Sequence, residues 1–234
     1  MEAENWVRWA RTPGHDAYWY QSQDFFEAIV PEPAGLTLEI GCGEGRVARD
    51  LARLGHRVVA MDSSRTLLRY AKEADASGEY LLADAAALPF AGGTFHLVVA
   101  YNSLMDVEDM PATAGEAARV LAPEGRFCVC VTHPLFDAGR FASDDADAPF
   151  VIEGSYLAAR EFHESVERSG LQITFHGRCY PLQAYARALE EAGFLIERLR
   201  EPPVRSQDVA AHPSWKRGQR VPTFLHLRCR KAQG

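Results

Sequence analysis

Three glycines at alternate positions, Gly41, Gly43 and Gly45, follow the short run Leu36-Thr37-Leu38-Glu39-Ile40, apolar except at Thr37 and Glu39. Glycine tolerates positive φ and has no methyl group to hold a ligand off, so such a turn can lay bare main chain against a bound molecule. If the turn opens a helix, the first N–H groups of that helix face the same molecule and favour an anionic or nucleotide-like group. Carboxylates stand nearby in sequence at Glu39, Asp62 and Asp84, and imidazoles at His133 and His176. A carboxylate accepts hydrogen bonds on two oxygens, and an imidazole can take a proton near neutral pH.

The elements that must position these groups follow from periodicity. "GLTLEIG" is a short apolar strand feeding the glycines, and Val47, Ala48, Leu51 and Leu54 behind it have helical spacing. "HRVVAMD" ends a second strand at Asp62, and the serines of "SSRTLLRYAKEA" can cap the next helix. "EYLLAD" ends at Asp84 and "TFHLVVAYN" at Asn102; Pro111 opens a helix with Ala114, Ala117, Ala118 and Leu121 in period. "GRFCVCVTH" closes the series at His133. Strands alternating with helices predict an α/β fold, a parallel sheet covered by helices on both faces.

Residues 15–30 predict one preceding helix, with Tyr18, Ser22, Phe25 and Ile29 on one face and Pro31 and Pro33 as its stop. After His133 the period is lost in a polar, aspartate-rich stretch, followed by the strands "FVIEGSY" and "REFHESVERSGLQITFHGRCY". "PLQAYARALEEAGF" predicts a helix with Leu182, Tyr185, Ala186 and Leu189 inward, and "LIERLR" and "FLHLRCR" two last strands across a proline-rich connection. The expected organisation is one domain over 1–234: a helical lid (1–33), a core (34–135), an insertion (136–180), and a helix with a strand pair (181–234).

The net charge of -7 argues against a nucleic-acid partner, which ordinarily requires a positive face. The exception is the tail, where residues 198–231 carry nine basic side chains against Glu201 and Asp208. No apolar run is long enough to cross a bilayer, and the start lacks a secretory pattern, so a cytoplasmic protein is expected. The five cysteines contain no Cys-x-x-Cys pair, so neither a disulfide framework nor a zinc site is indicated.

The spacing Gly41, Gly43, Gly45 places the third glycine one residue early for a dinucleotide turn, and no Gly-Lys-Ser/Thr end marks a phosphate loop. With Glu39 ahead of it, the run instead resembles the first motif of class I S-adenosylmethionine-dependent methyltransferases, and further signals follow in that family's order across at least residues 34–135. The resemblance implies a three-layer, Rossmann-like sheet of seven mostly parallel strands with an antiparallel last strand, an N-terminal helical lid and an insertion after strand five. It implies a cofactor site at Glu39, Gly41, Cys42, Gly43 and Gly45, with Asp62 and Ser63 at the ribose, Asp84 and Ala85 at the adenine, and Tyr101 and Asn102 beneath the methionine part. S-adenosyl-L-methionine would be the cofactor and S-adenosyl-L-homocysteine the product.

On that reading the protein's task is to hold a nucleophile in line behind an activated methyl group. Positioning of this kind supplies roughly 7–11 kcal/mol, and a base adds about 10²–10⁴ in rate where the acceptor must lose a proton. His133 is the candidate base, or equally a cap for the Pro134 turn. Tyr18, Tyr20, Met105, His133, Tyr156 and His176 are the candidate acceptor contacts, the two early tyrosines because the family's N-terminal helix covers the cofactor. The family's Asn/Asp-Pro-Pro-Tyr/Phe, Pro-Cys and magnesium-binding signatures are missing, so no metal is expected. A small, ring-bearing acceptor with no membrane partner is the favoured expectation; a tRNA or protein methyltransferase and a non-catalytic cofactor sensor are the rivals. Oligomeric state is not encoded legibly.

Overall fold

In the computed structural model, which describes residues 2–232, a seven-stranded sheet runs through the centre. Two helices come first, α1 (Glu2–Arg11) and α2 (Tyr18–Ala28). The alternating part comprises β1 (Leu36–Ile40), α3 (Arg46–Arg53), β2 (Arg57–Asp62), α4 (Arg65–Ala74), β3 (Glu79–Leu82), β4 (Phe95–Tyr101), α5 (Met110–Val120) and β5 (Leu121–Thr132). The insertion holds α6 (Pro134–Asp137), the pair β6 (Gly139–Phe141) and β7 (Phe150–Ile152), and the hairpin β8 (Arg160–Arg168) and β9 (Leu171–Cys179). The chain finishes with α7 (Leu182–Glu191), β10 (Phe194–Arg200), α8 (Ser206–Ala211), a 3-10 turn (Pro213–Gln219) and β11 (Phe224–Lys231).

The strand order is β10-β11-β5-β4-β1-β2-β3, with β11 antiparallel to both its neighbours. Because the order reverses between β1 and β4, the helices following these strands lie on opposite faces, and a crevice opens at the strands' carboxyl ends. That crevice is where the glycine turn sits.

Both faces of the sheet are buried, which is why its central strands read as unbroken apolar runs. Leu38, Ile40, Val98, Phe127 and Val129 pack against α5 and against Tyr185 and Leu189 of α7. The alternate residues Leu97, Val99, Tyr101 and Cys130 meet Phe25 and Ile29, at the end of α2, and Val47 and Leu51 of α3. Each fully buried aliphatic or aromatic side chain stabilises the fold by about 1.5–3 kcal/mol. Local signals agree: Ser64 accepts from Leu67 N at the start of α4, and Asp109 from Ala112 N at the start of α5.

Several sequence expectations shift. The helix expected over 15–30 starts only at Tyr18, where Asp16 Oδ1 accepts from Tyr18 N at 3.1 Å, and α1 precedes it unforeseen. Leu121 begins β5 instead of ending α5, and Leu182 points outward at 37% exposure. "FVIEGSY" forms a strand only over Phe150–Ile152, while the proline-rich connection contains α8 and the 3-10 turn. The β8–β9 hairpin forms as read, turning at Ser169 (φ 53) and Gly170 (φ 76), a pair of positive angles that matches strand twist. Among the described residues no helix is long and apolar enough to cross a membrane.

Candidate active site

The glycine turn closes differently from its sequence expectation. Gly41 (φ 71) backs onto the β4 loop, where a Cβ would lie 2.4 Å from Ser103 Cβ; Gly45 (φ 83) backs onto Tyr80 and Ala71, at 2.8 and 3.1 Å. Two of the three glycines therefore make room for neighbouring protein. Only Gly43 leaves its cradle open, its nearest neighbour being the indole nitrogen of Trp6 at 3.5 Å. The main-chain N–H groups are also largely committed. Gly41 and Cys42 both donate to Met61 O (2.8 and 2.9 Å), Gly43 donates to Asp62 Oδ2 (2.8 Å), and Gly45 to Cys42 O (2.9 Å). The expected anion cradle of free donors is thus not what the turn presents.

Carboxylates surround it instead. Glu39 is 1% exposed with one carboxylate oxygen unpartnered, and burial, reinforced by the neighbouring Asp62, pushes its carboxyl up to about 8. Asp62, at the end of β2, takes one main-chain N–H on each oxygen, from Gly43 and from Ser64 (both 2.8 Å). Burial raises its pKa and these bonds pull it back. Each oxygen keeps a second lone pair for another donor. Asp84 is exposed and accepts from Ala86 N at 2.9 Å, beside the buried Ala85. Glu44 is buried but balanced by Arg11 and Arg49, both at 2.8 Å.

Over this turn lies α1, not α2. Trp6 and Trp9 meet Phe175 of β9 edge to face, and the Arg46 guanidinium sits over Trp6 and Tyr18 while pairing with Asp16 at 2.7 Å. The covering residue is therefore Trp6. Tyr18 is buried with its hydroxyl bonded to Asp50 and its ring edge to face with Tyr101, and the Tyr20 ring lies tilted against Trp215. Neither early tyrosine is the residue that lies against Gly43.

The remaining sequence candidates divide. Asn102 follows β4 in the left-handed region (φ 49), held by its N–H to Cys130 O at 2.8 Å, a strained placement of the kind found at ligand sites. Tyr101 turns away into the core against Phe25 and Phe224, because side chains alternate along a strand. Cys42 is a buried thiol, and Ser63 is exposed beside Asp62. His133 caps α6, its Nδ1 accepting from Leu135 N (3.0 Å) while Nε2 meets Glu201 (2.8 Å). With both ring nitrogens engaged it has the capping role. Tyr156 accepts from Leu182 N and so ties the insertion to α7. His176 pairs with His163 across the hairpin and with Glu2 of α1 at 3.0 Å. Met105 lines a cleft of about 270 Å³ between the β4 loop and the hairpin, together with His163 and His176.

Sequence reading missed three residues here. Ser103 donates to Ile40 O at 2.6 Å and ties the β4 loop to β1. Asp106 lines the same cleft beside Gly177 of β9, where a Cβ would lie 3.1 Å from its Oδ1. Trp6 was visible only as one ring among many; its place over Gly43 depends on contacts between α1 and β9 far apart in sequence.

Comparison with known proteins places this geometry. Residues 38–129 match the family described as methyltransferase domain. A ubiquinone biosynthesis O-methyltransferase of Methylobacterium sp. (strain 4-46) is 41% identical over 63% of this chain and 64% of its own length. A demethylmenaquinone methyltransferase of Renibacterium salmoninarum is 31% identical over 47% of each chain. The chain thus spans less than two thirds of these curated relatives. A crystal structure of an S-adenosylmethionine-dependent methyltransferase from Mesorhizobium loti superposes with a TM-score of 0.74 at 25% identity, over 92% of this chain and 98% of that one. Residues 38–129 therefore match the methyltransferase domain family, and the chain has the fold of an S-adenosylmethionine-dependent methyltransferase.

Proposed function

We propose that this chain transfers a methyl group from S-adenosylmethionine to an oxygen or nitrogen of a small, ring-bearing molecule. One observation carries the reading: the N–H groups of Gly41, Cys42, Gly43 and Gly45 are committed internally, while Glu39 and Asp62 stand beside the turn with, among the described residues, no basic side chain bonded to them. A polyphosphate would meet carboxylates and committed donors there. A sulfonium nucleoside, cationic and rich in hydroxyls, suits that environment.

The residues present fit the cofactor. The spare lone pairs of Asp62 would hold ribose hydroxyls, Asp84 and the main chain of Ala85 the adenine edge, and the open cradle at Gly43 admits close approach. The bound cofactor supplies an electrophilic methyl and a sulfur leaving group, so this chain's residues contribute position and exclusion of water. Trp6 and Arg46 on α1 and α3 cover the turn, and a lid of this kind keeps water from the reacting centre. His133 is left out of the proton path because both its nitrogens are occupied. The name of one relative, an O-methyltransferase of ubiquinone biosynthesis, supports methyl transfer to oxygen of a ring-bearing small molecule.

The polymer reading loses its support in the tail. Arg198 and Arg228 donate to Ala28 O, Arg220 to Ala148 O, Lys231 to Leu121 O, and Arg205, Lys216 and Arg217 pair with aspartates. These seven cations tie elements together, which argues against an open basic face. The test is production of S-adenosylhomocysteine on a panel of phenols, catechols and aryl amines against short RNA and peptide acceptors. Turnover only with the polymers overturns the small-molecule reading, and cofactor binding without any turnover favours a sensor.

A further inference from the structure

Three side chains form a continuous hydrogen-bonded row across the hairpin and the covering helix. His163 of β8 and His176 of β9 are paired in register, their ring centroids 4.7 Å apart and their Nδ1 atoms joined at 2.5 Å. Nε2 of His176 continues the row to Glu2 Oε1 of α1 at 3.0 Å. The carboxylate at the end of the row can only accept, and this fixes the protons behind it. Nε2 of His176 must carry a proton, so its Nδ1 offers a lone pair, and Nδ1 of His163 must carry the proton between the two rings. Nε2 of His163 is then left with a lone pair outside the row, on a ring that lines the cleft of about 270 Å³. An imidazole whose tautomer is set by a second imidazole and a carboxylate has the arrangement of an oriented general base.

Two elements connect this cleft with the glycine turn. Its Met105 and Asp106 belong to the β4 loop, where Ser103, two residues or about 7 Å of chain away, donates to Ile40 O beside Gly41. Helix α1 carries Glu2 at the end of the row and Trp6 against Gly43, and Phe175, the neighbour of His176 in β9, meets Trp6 with ring centroids 6.2 Å apart. The row is complete only while α1 lies on β9, so the contact that covers the turn also orients the imidazoles. A proton arriving at His163 meets negative surroundings, because Asp106, Glu108 and Glu161 line the cleft while Arg178 is spent on Glu161 at 3.7 Å and on Glu108 O at 3.2 Å.

We infer that His163 is the general base for methyl transfer to a hydroxyl oxygen, with His176 and Glu2 as the residues that position it and carry its proton onward. This rests on the function proposed above. Nε2 of His163 takes the hydroxyl proton as the acceptor oxygen bonds to the methyl carbon and the carbon–sulfur electron pair leaves with sulfur. The Nδ1 proton of His163 passes to His176, and the Nε2 proton of His176 to Glu2, whose side chain is 74% exposed and returns it to water. The acceptor class is then a ring-bearing phenol or alcohol that binds neutral, in preference to a carboxylate, which needs no base.

The row is tested without cofactor by NMR of the imidazole nitrogens in the whole chain at alkaline pH, where imidazole is neutral. His163 should show the Nδ1–H tautomer and His176 the Nε2–H tautomer, and Glu2→Leu should abolish this order. The reverse tautomers, or tautomers indifferent to Glu2, overturn the row and the base with it. Kinetics then compare a phenol that the chain methylates with its nitro derivative, already ionised at the assay pH. His163→Gln should lower kcat for the neutral phenol by about 10²–10⁴ and for the ionised one less than about threefold, with S-adenosylhomocysteine affinity unchanged. His176→Gln and Glu2→Leu should act in the same selective way, by about tenfold or more on the neutral phenol. Equal losses on both phenols, or no loss, overturn the base alone, as does turnover confined to amines. Turnover of no acceptor removes the base together with the methyltransferase reading.

Discussion

Ser103 and Gly41 meet so closely that a Cβ at position 41 would lie 2.4 Å from Ser103 Cβ, while Ser103 Oγ donates to Ile40 O at 2.6 Å. The first crossover and the loop after β4 are therefore locked together on the two sides of the switch crevice, and Gly41 is required by protein contact as much as by its φ of 71.

Gly41→Ala is expected to cost about 2–5 kcal/mol, combining positive-φ strain with overpacking. In a Ser103→Gly background, which lacks the Oγ–Ile40 O hydrogen bond from the start, Gly41→Ala should cost about 1–3 kcal/mol less than in the parent. Denaturant unfolding of both single variants and the double variant measures this. An equal cost of Gly41→Ala in the two backgrounds would mean that Ser103 is not the obstacle.

Glu39 gives stability a pH dependence of definite sign. Its carboxyl ionises near 4.5 in the unfolded chain and near 8 in the folded protein, so between these values the native state binds more protons. Its contribution is most favourable below pH 4.5 and declines as pH rises to about 8. Glu39→Gln removes the decline, and without cofactor the variant should gain about 2–4 kcal/mol relative to the parent between pH 4.5 and 9. Parallel stability curves for the two proteins would show that Glu39 is ionised throughout.

His133→Ala separates a cap from a catalyst. Loss of the α6 cap should lower stability by about 1 kcal/mol while kcat on any accepted substrate changes less than about threefold. A loss of about 10²–10⁴ in kcat would restore the general-base role.

The sheet was legible because buried parallel strands leave unbroken apolar runs, and the ends of those runs located Asp62, Asp84 and Asn102 at the crevice. What escaped depends on contacts between residues distant in sequence. The periodicity of residues 15–30 cannot say that Tyr18 will spend its hydroxyl on Asp50, or that α1 will reach over Gly43 by packing on β9. Strand alternation turned Tyr101 into the core one position before Asn102. Asp106, in the loop after β4, is an unremarkable acid in sequence until the hairpin brings Gly177 against it. The glycines suggested free donors because sequence carries no sign that Met61 O would take two of them.

The most direct measurement is calorimetric titration of the whole chain with S-adenosylhomocysteine, S-adenosylmethionine, NAD and ATP, repeated with Asp62→Asn. The carboxylate-rich turn should bind both sulfur nucleosides and neither phosphate ligand, with Asp62→Asn weakening affinity at least tenfold while the fold persists. Binding of NAD or ATP in preference to the sulfur nucleosides, or sulfur-nucleoside affinity indifferent to Asp62, would contradict the assignment.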